Sequence, residues 1–344
     1  MMALRSDCPV SRSDMRLLTM AASWCANEQR TLASLTSPEL ARIASARGID
    51  FATAVFHEAA LRAAESAKLF ATIEAADVTA MEKPDLIAVV PGAFHREHPN
   101  SGADGARVVA IAREIGCNAA VIPLPGFGRL KDNAQLIVKW LSARPEQRIT
   151  IVSLSKGACD LKHALALPEA ASAFERVQLW VSFSGIVQGT PLIAWLRSRP
   201  LRWLGVHLLL WLRRHPRGTL NDLRHEPESF LASWPALPPH LRIVHICGVP
   251  LRHHLQHPWA ERAYDRLAEL GPNDGGGVLL GALSNVPGTI CPVWGADHYL
   301  QPSWNATALL RDIVIAALTP SARRRKPATP LEFSRIAGPN KSAA

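Results

Sequence analysis

The stretch Ile149-Thr150-Ile151-Val152-Ser153-Leu154-Ser155-Lys156-Gly157 decides the fold, because an apolar run ends there in a serine-containing turn. A helix-like segment, Ala158–Leu167, follows directly. A strand, a tight turn and a helix in this order place a serine hydroxyl at the tip of a strained bend. Gly157 suits that geometry, since a helix start packed closely against a strand leaves no room for a side chain. We interpret Ser155 as a candidate nucleophile; the alternative is a plain helix cap.

Apolar strands alternate with amphipathic helices on both sides of this stretch. Strands are predicted at Leu86–Val90, Ala119–Leu124, Ile149–Leu154, Val177–Phe183, Leu241–Cys247 and Thr289–Trp294. Helices are predicted at Gly105–Ile115, Asp132–Leu141, Ala158–Leu167, Trp259–Leu270 and Ala306–Leu318. Continuous apolar strands separated by such helices are typical of a parallel sheet covered on both faces. We therefore predict an α/β fold with a mostly parallel sheet of about six strands.

The chain divides into four predicted regions. Residues 1–30 show no hydrophobic period and are expected to form a flexible leader. Residues 31–82 are expected to form a helical arm with an Ala-rich apolar face that packs on the main domain. Residues 83–320 form the main domain, and the polar, Pro-rich residues 321–344 are expected to be a flexible basic tail.

The insertion (residues 186–240) separates two predicted strands and is much longer than an ordinary crossover. It is rich in leucine and carries four tryptophans: Trp195, Trp203, Trp211 and Trp234. It could be a structural subdomain that buries these rings permanently, or a lid whose apolar side contacts acyl chains or a lipid interface. A transmembrane helix is excluded, because one needs about 20 nearly uninterrupted apolar residues. The apolar stretch Pro191–Leu212 of the insertion is interrupted by four residues: Arg197, Arg199, Pro200 and Arg202.

Composition restricts the class of protein. A chain of 344 residues, 48% hydrophobic and 19% charged, buries a sizeable core. Much of the net charge of +9 lies in Arg323–Lys326 and in the region 197–224, so we expect no single nucleic-acid face. The six cysteines follow no metal or disulfide spacing, which favours buried thiols in the cytoplasm. A signal-like segment at residues 15–25 has too short an apolar core to change this expectation.

Two further polar segments follow the serine turn, Asn273-Asp274-Gly275 and Ala296-Asp297-His298. A serine hydroxyl is a weak nucleophile until an adjacent base removes its proton. A histidine oriented by a carboxylate is such a base. His298 suits this role because it follows the last predicted strand, where parallel sheets bind ligands; the alternative is a surface histidine.

The acid has two candidates. Asp274 lies in a glycine-rich turn, which needs no catalytic reason, because Asn and Asp side chains bond their own backbone in such turns. Asp297 competes with it, but neighbouring residues on a loop seldom present their side chains to each other. We favour Asp274, so that the predicted catalytic residues are Ser155, Asp274 and His298.

Attack by a serine on a carbonyl group also needs backbone donors for the oxyanion that forms. One donor should be the amide of Lys156, directly after the nucleophile. The second should be the amide of Ala93, because Gly92 lets the loop after the first strand turn inward; Phe94 is the alternative. The Lys156 side chain either pairs with Asp160 one helical turn on or attracts an anionic substrate group.

No cofactor or metal site is expected. His253-His254-x-x-His257 has no carboxylate or cysteine at a spacing that completes a zinc site. No glycine loop of the nucleotide-binding kinds is present in the sequence.

These segments resemble the lipase- and esterase-like branch of the α/β-hydrolases. The resemblance covers roughly residues 85–320 and rests on Pro91-Gly92, Ser153–Gly157, Val187–Pro191, Asn273–Gly275 and Gly295–His298. It implies the α/β-hydrolase fold, a triad in the chain order Ser, acid, His, and a cap over the site formed by the insertion. Three departures indicate an atypical subgroup: Pro91 where a histidine is usual, Ser153 in place of a glycine, and a long loop at 95–105.

The function implied by the resemblance is hydrolysis of carboxylic esters through an acyl-enzyme, without a cofactor. The expected partner is a small-molecule ester or a lipid, with transient contact between the cap and a lipid interface, and no nucleic acid. Two alternatives stay open. The same triad could transfer the acyl group to an alcohol or amine, or the fold could be a catalytically inactive module that binds a lipid or a protein.

Overall fold

Six strands form one parallel sheet in the centre of the molecule. In this computed structural model, which describes residues 10–75, 83–98, 101–300 and 310–314, the strands are β1 (Leu86–Val90), β2 (Ala119–Val121), β3 (Ile149–Leu154), β4 (Val177–Phe183), β5 (Arg242–Val249) and β6 (Thr289–Trp294). Their order across the sheet is β2-β1-β3-β4-β5-β6, and each neighbouring pair is parallel. The predicted α/β class and the parallel sheet are confirmed.

Helices precede the sheet and connect its strands. They are α1 (Arg12–Asn27), α2 (Ser37–Arg47), α3 (Ile49–Arg62), α4 (Ala64–Ala75), α5 (Ala106–Glu114), α6 (Leu130–Ser142), α7 (Gly157–Ala164), α8 (Ala170–Ala173), α9 (Leu192–Arg197), α10 (Pro200–Leu212), α11 (Thr219–Asp222) and α12 (Pro258–Leu267). Of the predicted helix Ala306–Leu318, residues 310–314 are helical and the others lie outside the described residues.

Buried side chains form an apolar cluster on each face of the sheet. In β1, Leu86, Ala88 and Val90 join the cluster that includes side chains of α3, α6 and α7. Ile87 and Val89 join the opposite cluster, with side chains of α4 and α5. Alternate residues of a strand point to opposite faces, so both faces of this strand are buried. This explains why the strands are continuous apolar runs rather than alternating ones.

The start of the chain differs from the prediction of a flexible leader over residues 1–30. Helix α1 begins with a capping box, in which Ser11 Oγ accepts the Asp14 amide proton, and it packs against α3. The residues that it buries include the small side chains Ala21 and Cys25, which produce little hydrophobic period. The signal-like segment at residues 15–25 lies within this helix.

Helices α2, α3 and α4 occupy the region where the sequence predicts a helical arm. Helix α3 is largely buried, with Phe51, Val55 and Phe56 in the core, and it packs against β6. The region therefore lies against the last strand of the sheet. Residues 76–82, the end of the predicted arm, and 321–344, the predicted tail, are outside the described residues.

The connection between β4 and β5 contains the insertion, with helices α9, α10 and α11. No helix among the described residues is long and apolar enough to span a membrane. The five cysteines in the described part of the chain are unpaired and buried: Cys25, Cys117, Cys159, Cys247 and Cys291.

Strand order reverses between β1 and β3, since the chain adds β2 on one side of β1 and all later strands on the other. In open parallel sheets, ligands bind outside the carboxyl ends of strands at such a point. β1 ends at Val90 and β3 at Leu154. The loops that follow these two strands therefore contain the first residues to consider for a site.

Candidate active site

Ser155 lies at the tip of the turn between β3 and α7. Its φ is 48°, in the left-handed region that non-glycine residues seldom adopt. Its amide donates to the Phe183 carbonyl oxygen at 3.0 Å, which ties the turn to β4. A Cβ atom on Gly157 would lie 2.6 Å from the Pro91 carbonyl oxygen, so this position requires glycine. The sequence therefore builds a strained serine turn in direct contact with the loop after β1.

Ser153, two residues before the tip, has a role that the sequence did not indicate. It is fully buried, and its Oγ accepts a hydrogen bond of 2.7 Å from the indole Nε1 of Trp180 on β4. A glycine here would leave a buried indole N–H without this acceptor, which costs free energy. The departure from the usual glycine therefore matches a tryptophan on the neighbouring strand.

The imidazole of His298 reaches Ser155 from the loop after β6. Its Nε2 lies 2.9 Å from Ser155 Oγ, and its Nδ1 lies 2.6 Å from Asp274 Oδ2. An ionised carboxylate only accepts, so His298 Nδ1–H donates to Asp274, and Nε2 accepts from the serine hydroxyl. The His298 amide also donates to the Asp274 carbonyl oxygen at 2.7 Å. The structure brings the three predicted residues into one hydrogen-bonded chain.

Asp274 is fully buried, and its two carboxylate oxygens have different partners. Oδ1 accepts hydrogen bonds from the amides of Gly276, Gly277 and Val278 at 2.9, 3.1 and 3.0 Å. Oδ2 accepts from His298. The carboxylate therefore bonds its own turn, as Asx turns do, and orients the imidazole at the same time.

Gly276 packs against the imidazole. A Cβ atom at this position would lie 2.0 Å from His298 Cγ and 2.2 Å from His298 Cβ. No side chain fits there without displacing the ring. Gly276 therefore has a steric function that the sequence pattern did not indicate, because the contact joins two segments distant in the chain.

The charge around His298 favours its protonated form. Burial lowers the pKa of the imidazole, but the charge and hydrogen bond of Asp274 and the charge of Asp297 outweigh burial. The net result is a pKa above the usual value for histidine. An imidazolium formed at this position is therefore stabilised.

Asp297, the competing acid, bonds its own loop. Its Oδ1 accepts the Tyr299 amide proton at 2.8 Å, and its carbonyl oxygen accepts from the Leu300 amide at 2.9 Å. Of the two candidate acids, Asp274 is the one that accepts from Nδ1 of His298.

The backbone amides of Ala93 and Lys156, the two predicted oxyanion donors, make no hydrogen bond to any residue that the structure describes. The Phe94 amide, in contrast, donates to the Gly126 carbonyl oxygen at 2.8 Å. The alternative donor Phe94 is therefore already occupied in this conformation. Ala93 and Lys156 remain the candidate oxyanion donors.

The Lys156 side chain turns away from the serine. It is buried, and its Nζ lies 2.7 and 2.9 Å from the two carboxylate oxygens of Asp160. Asn133 Nδ2 donates to the same carboxylate at 3.1 Å. Of the two predicted interpretations, the structure has the Asp160 pair, which holds the start of α7.

Lys162, on α7, is a second buried lysine, one that sequence analysis did not single out. Its Nζ donates to the carbonyl oxygens of Val187 and Leu231 at 2.8 and 2.7 Å and lies 4.4 Å from the centre of the Trp234 ring. Burial lowers its pKa to about 8. Because Val187 and Leu231 lie near opposite ends of the insertion, this lysine joins both ends to the helix after Ser155.

Further polar contacts join the insertion to the sheet loops. His215 Nε2 lies 2.8 Å from Glu97 Oε1 in the long loop after β1. Arg129 forms a bidentate pair with Asp222, at 2.6 and 2.8 Å. The insertion is thus attached on several sides.

The histidine cluster has a carboxylate partner that its sequence spacing did not reveal. Asp14 of α1 lies 3.0 Å from His254 Nε2 and 3.4 Å from His253 Nε2, and the three side chains are close enough together to hold a metal ion. However, His254 Nδ1 accepts the Leu251 amide proton at 3.0 Å. A neutral ring then carries its proton on Nε2, which donates to Asp14 and is not free for a metal. The geometry favours a hydrogen-bonded contact between α1 and this loop.

Comparison with known proteins supports the fold. No protein-family model matches the sequence, and no curated protein matches it significantly. Among solved structures, the chain is similar to a metagenomic carboxyl esterase at 22% identity, covering 68% of this chain and 74% of that one, with a TM-score of 0.50. A mature lipase of Bacillus licheniformis aligns at 17% identity, covering 69% and 89%, with a TM-score of 0.45. The chain has the α/β-hydrolase fold that its motifs imply.

Proposed function

We propose that this protein hydrolyses carboxylic esters through an acyl-enzyme on Ser155. The proposal rests on one observation above all, the hydrogen-bonded chain from Ser155 Oγ through His298 to Asp274. The positive φ of the serine, a buried acid and the unbonded amides of Ala93 and Lys156 support it. One similar solved structure is that of a carboxyl esterase, and we propose the same class of activity for this chain.

In the first half of the reaction, Ser155 Oγ attacks the ester carbonyl carbon and its proton passes to His298 Nε2. The negative charge moves to the carbonyl oxygen, where the amides of Ala93 and Lys156 stabilise it. Asp274 stabilises the imidazolium without taking its proton. When the tetrahedral intermediate collapses, the C–O bond to the alcohol breaks and His298 returns the proton to the departing oxygen.

The second half releases the acid. Water attacks the acyl-serine carbonyl, His298 Nε2 accepts a water proton, and the acyl–oxygen bond to Ser155 breaks as the serine regains a proton. The site needs no metal or cofactor for either half, since the protein supplies the nucleophile, the base and the oxyanion donors.

The substrate is proposed to be a small-molecule ester or a lipid ester, with transient contact between the insertion and a lipid interface. The tryptophans of the insertion differ in exposure, which bears on whether the insertion contacts lipid. Trp234 packs against Trp180 and His245, whereas Trp211 is exposed on α10. Trp234 fits a structural subdomain that buries its rings, and Trp211 fits a surface that contacts a lipid interface. The two interpretations of the insertion are therefore compatible.

A fluorophosphonate probe tests the nucleophile. We expect labelling of the wild-type chain, loss of labelling in Ser155→Ala, and full labelling in Ser172→Ala, an exposed serine on α8 that bonds only its own turn. No labelling of the wild type would favour the inactive binding module, and labelling that persists in Ser155→Ala would move the nucleophile elsewhere.

A series of p-nitrophenyl esters from acetate to palmitate then defines the acyl group. Added alcohol in the same assay separates hydrolysis from transfer. If the new ester forms faster than the free acid, the acyltransferase alternative replaces hydrolysis while the triad remains.

A further inference from the structure

Helix α10 presents an apolar face to solvent. Leu201, Leu204, Leu208 and Leu212 are 87%, 67%, 53% and 64% exposed. Their spacing of three, four and four residues places them on one side of a helix. Only Leu210 of this helix is buried. Single exposed leucines are ordinary, but a continuous row of them marks a contact surface.

The segment around this face is cationic throughout. From Pro191 to Asn221 the chain has no aspartate or glutamate and six arginines: Arg197, Arg199, Arg202, Arg213, Arg214 and Arg217. Three precede or begin α10, of which Arg197 pairs with Glu226 at 3.3 Å, and three follow it, so positive charge borders the leucine row at both ends. A protein partner for such a surface would have to be acidic and apolar at once, whereas an anionic lipid surface is both by composition.

Three guanidinium groups converge on one indole beside the start of α10. The guanidinium carbons of Arg199, Arg202 and Arg266 lie 4.1, 5.2 and 4.4 Å from the centre of the Trp195 ring. Within the described part of the chain, none of the three is in ion-pair contact with a carboxylate. Burial, followed by the charges of Arg202, Arg262 and Arg199, lowers the pKa of Arg266, so positive charges lie close together in this cluster.

We propose that this surface, formed by the leucine row of α10 and the arginines around Trp195, docks the protein on an anionic phospholipid membrane. The leucines enter the boundary between headgroups and acyl chains, with the helix lying in the plane of the surface. The guanidinium groups bind lipid phosphates, for which their forked donors are suited. Trp211, exposed near the end of α10, lies at headgroup depth, where indole rings are favoured.

The segment that leads into this surface contacts the proposed catalytic turn. A Cβ atom on Gly277 would lie 2.8 Å from Thr190 Oγ1, and α9 begins two residues later at Leu192. Gly277 donates to Asp274. Docking would therefore hold the proposed active site next to the layer that contains lipid esters. This docking assigns a defined surface to the lipid contact proposed above and rests on that proposed function.

Co-sedimentation with vesicles tests the docking, with the Ser155→Ala chain so that lipid hydrolysis plays no part. We expect binding to phosphatidylcholine vesicles that contain phosphatidylglycerol, weak binding to phosphatidylcholine alone, and release by high salt. Leu204→Ser/Leu208→Ser should weaken partitioning by about tenfold. Arg199→Gln/Arg202→Gln should weaken it by about fivefold for each arginine.

Matched controls use other surfaces of the same chain. Leu136→Ser/Met20→Ser replaces two exposed apolar side chains on α6 and α1, and Arg12→Gln/Arg16→Gln removes the same charge from α1; both should bind vesicles as the parent does. Absence of binding to anionic vesicles at low salt overturns the proposal, as does equal binding of the α10 leucine variant and its control. If sedimentation shows a dimer that the leucine variant dissociates, the face is instead an interface between copies of this chain. Ester hydrolysis is measured separately on soluble substrates, so either proposal can fail alone.

Discussion

The turn that holds Asp274 and the outer face of α10 differ in whether their side chains have partners within the protein. In the turn, both carboxylate oxygens of Asp274 have hydrogen-bond donors, and Gly276 touches the ring of His298. On α10, leucines face solvent, and the arginines beside its start surround an indole instead of a carboxylate. The first region satisfies its polar groups within the protein, whereas in the part of the chain that the structure describes the second leaves apolar area exposed and gathers positive charge around Trp195.

This difference separates chemistry from recruitment. A base and an acid that are oriented before substrate arrives need no rearrangement during the reaction, which is where much of catalytic rate enhancement arises. The exposed leucines of α10 are stabilised only when a partner covers them and removes them from water. Substitutions in the two regions should therefore affect different measurements.

The largest effect is expected from Asp274→Asn. The carboxamide oxygen of the new side chain keeps the three amide donors of the turn, so its NH₂ group faces His298 Nδ1 and forces the proton onto Nε2, toward the serine. A base in that tautomer cannot accept the serine proton, and kcat should fall by about 10²–10⁴-fold. Steady-state rates on p-nitrophenyl butyrate measure this. Asp297→Asn should lose far less; the reverse ranking would assign the acid to Asp297.

Gly276→Ala should come next, with kcat lowered by about 100-fold, because the new methyl group must displace the imidazole and misplaced catalytic groups cost roughly that much. The control lies in the other region: Gly205 on α10 has no atom within 4 Å of an added Cβ. Gly205→Ala should keep wild-type kcat. Full activity in Gly276→Ala would mean that the ring does not need its present position.

The pH profile of kcat/KM provides a smaller effect. The reaction needs neutral His298, and the charges of Asp274 and Asp297 raise its pKa despite burial. Activity should thus be lost on acidification through a midpoint above the usual histidine value of about 6.5. Asp297→Asn removes one of these charges and should move the midpoint down by a fraction of a pH unit, whereas the remote, exposed Asp132→Asn should not. A wild-type midpoint below the usual value would contradict the charge balance.

The smallest effect is expected on the outer face of α10. Leu204→Ser should change the free energy of unfolding by less than about 0.5 kcal/mol, since it removes no buried contact. Leu210→Ala on the same helix should cost about 2–5 kcal/mol because Leu210 is buried. Urea unfolding of both variants measures the contrast. Equal losses would mean that the leucine row is packed in solution.

The chain order of the motifs predicted the fold and the meeting of Ser155, Asp274 and His298. Ser155 and His298 lie near each other because they follow β3 and β6, and the carboxyl ends of parallel strands share one edge of the sheet. Asp274 follows α12 instead and reaches His298 from its glycine turn. The strands of the sheet were also readable, because burial on both faces makes them continuous apolar runs. The roles of these residues stay predictions until the variants are measured.

Contacts between segments distant in the chain could not be predicted from the sequence. The Trp180 bond explains Ser153, Asp14 approaches His254 from a helix at the other end of the chain, and Gly276 is required by a ring on a different loop. Helix α1 was missed for a related reason, since small side chains such as Ala21 and Cys25 pack on α3 without producing an apolar period. Each depends on three-dimensional packing rather than on local pattern.

Lys162 gives the attachment of the insertion an unusual response to alkali. Its pKa in the folded protein is about 8, against the ordinary value of 10.5, so the unfolded chain binds more protons than the folded one between those values. This residue therefore makes the free energy of unfolding rise with pH across that window. The neutral amine still carries two hydrogens for the Val187 and Leu231 carbonyl oxygens, so deprotonation removes a buried charge and keeps both bonds. Alkaline solution should tighten this junction instead of loosening it.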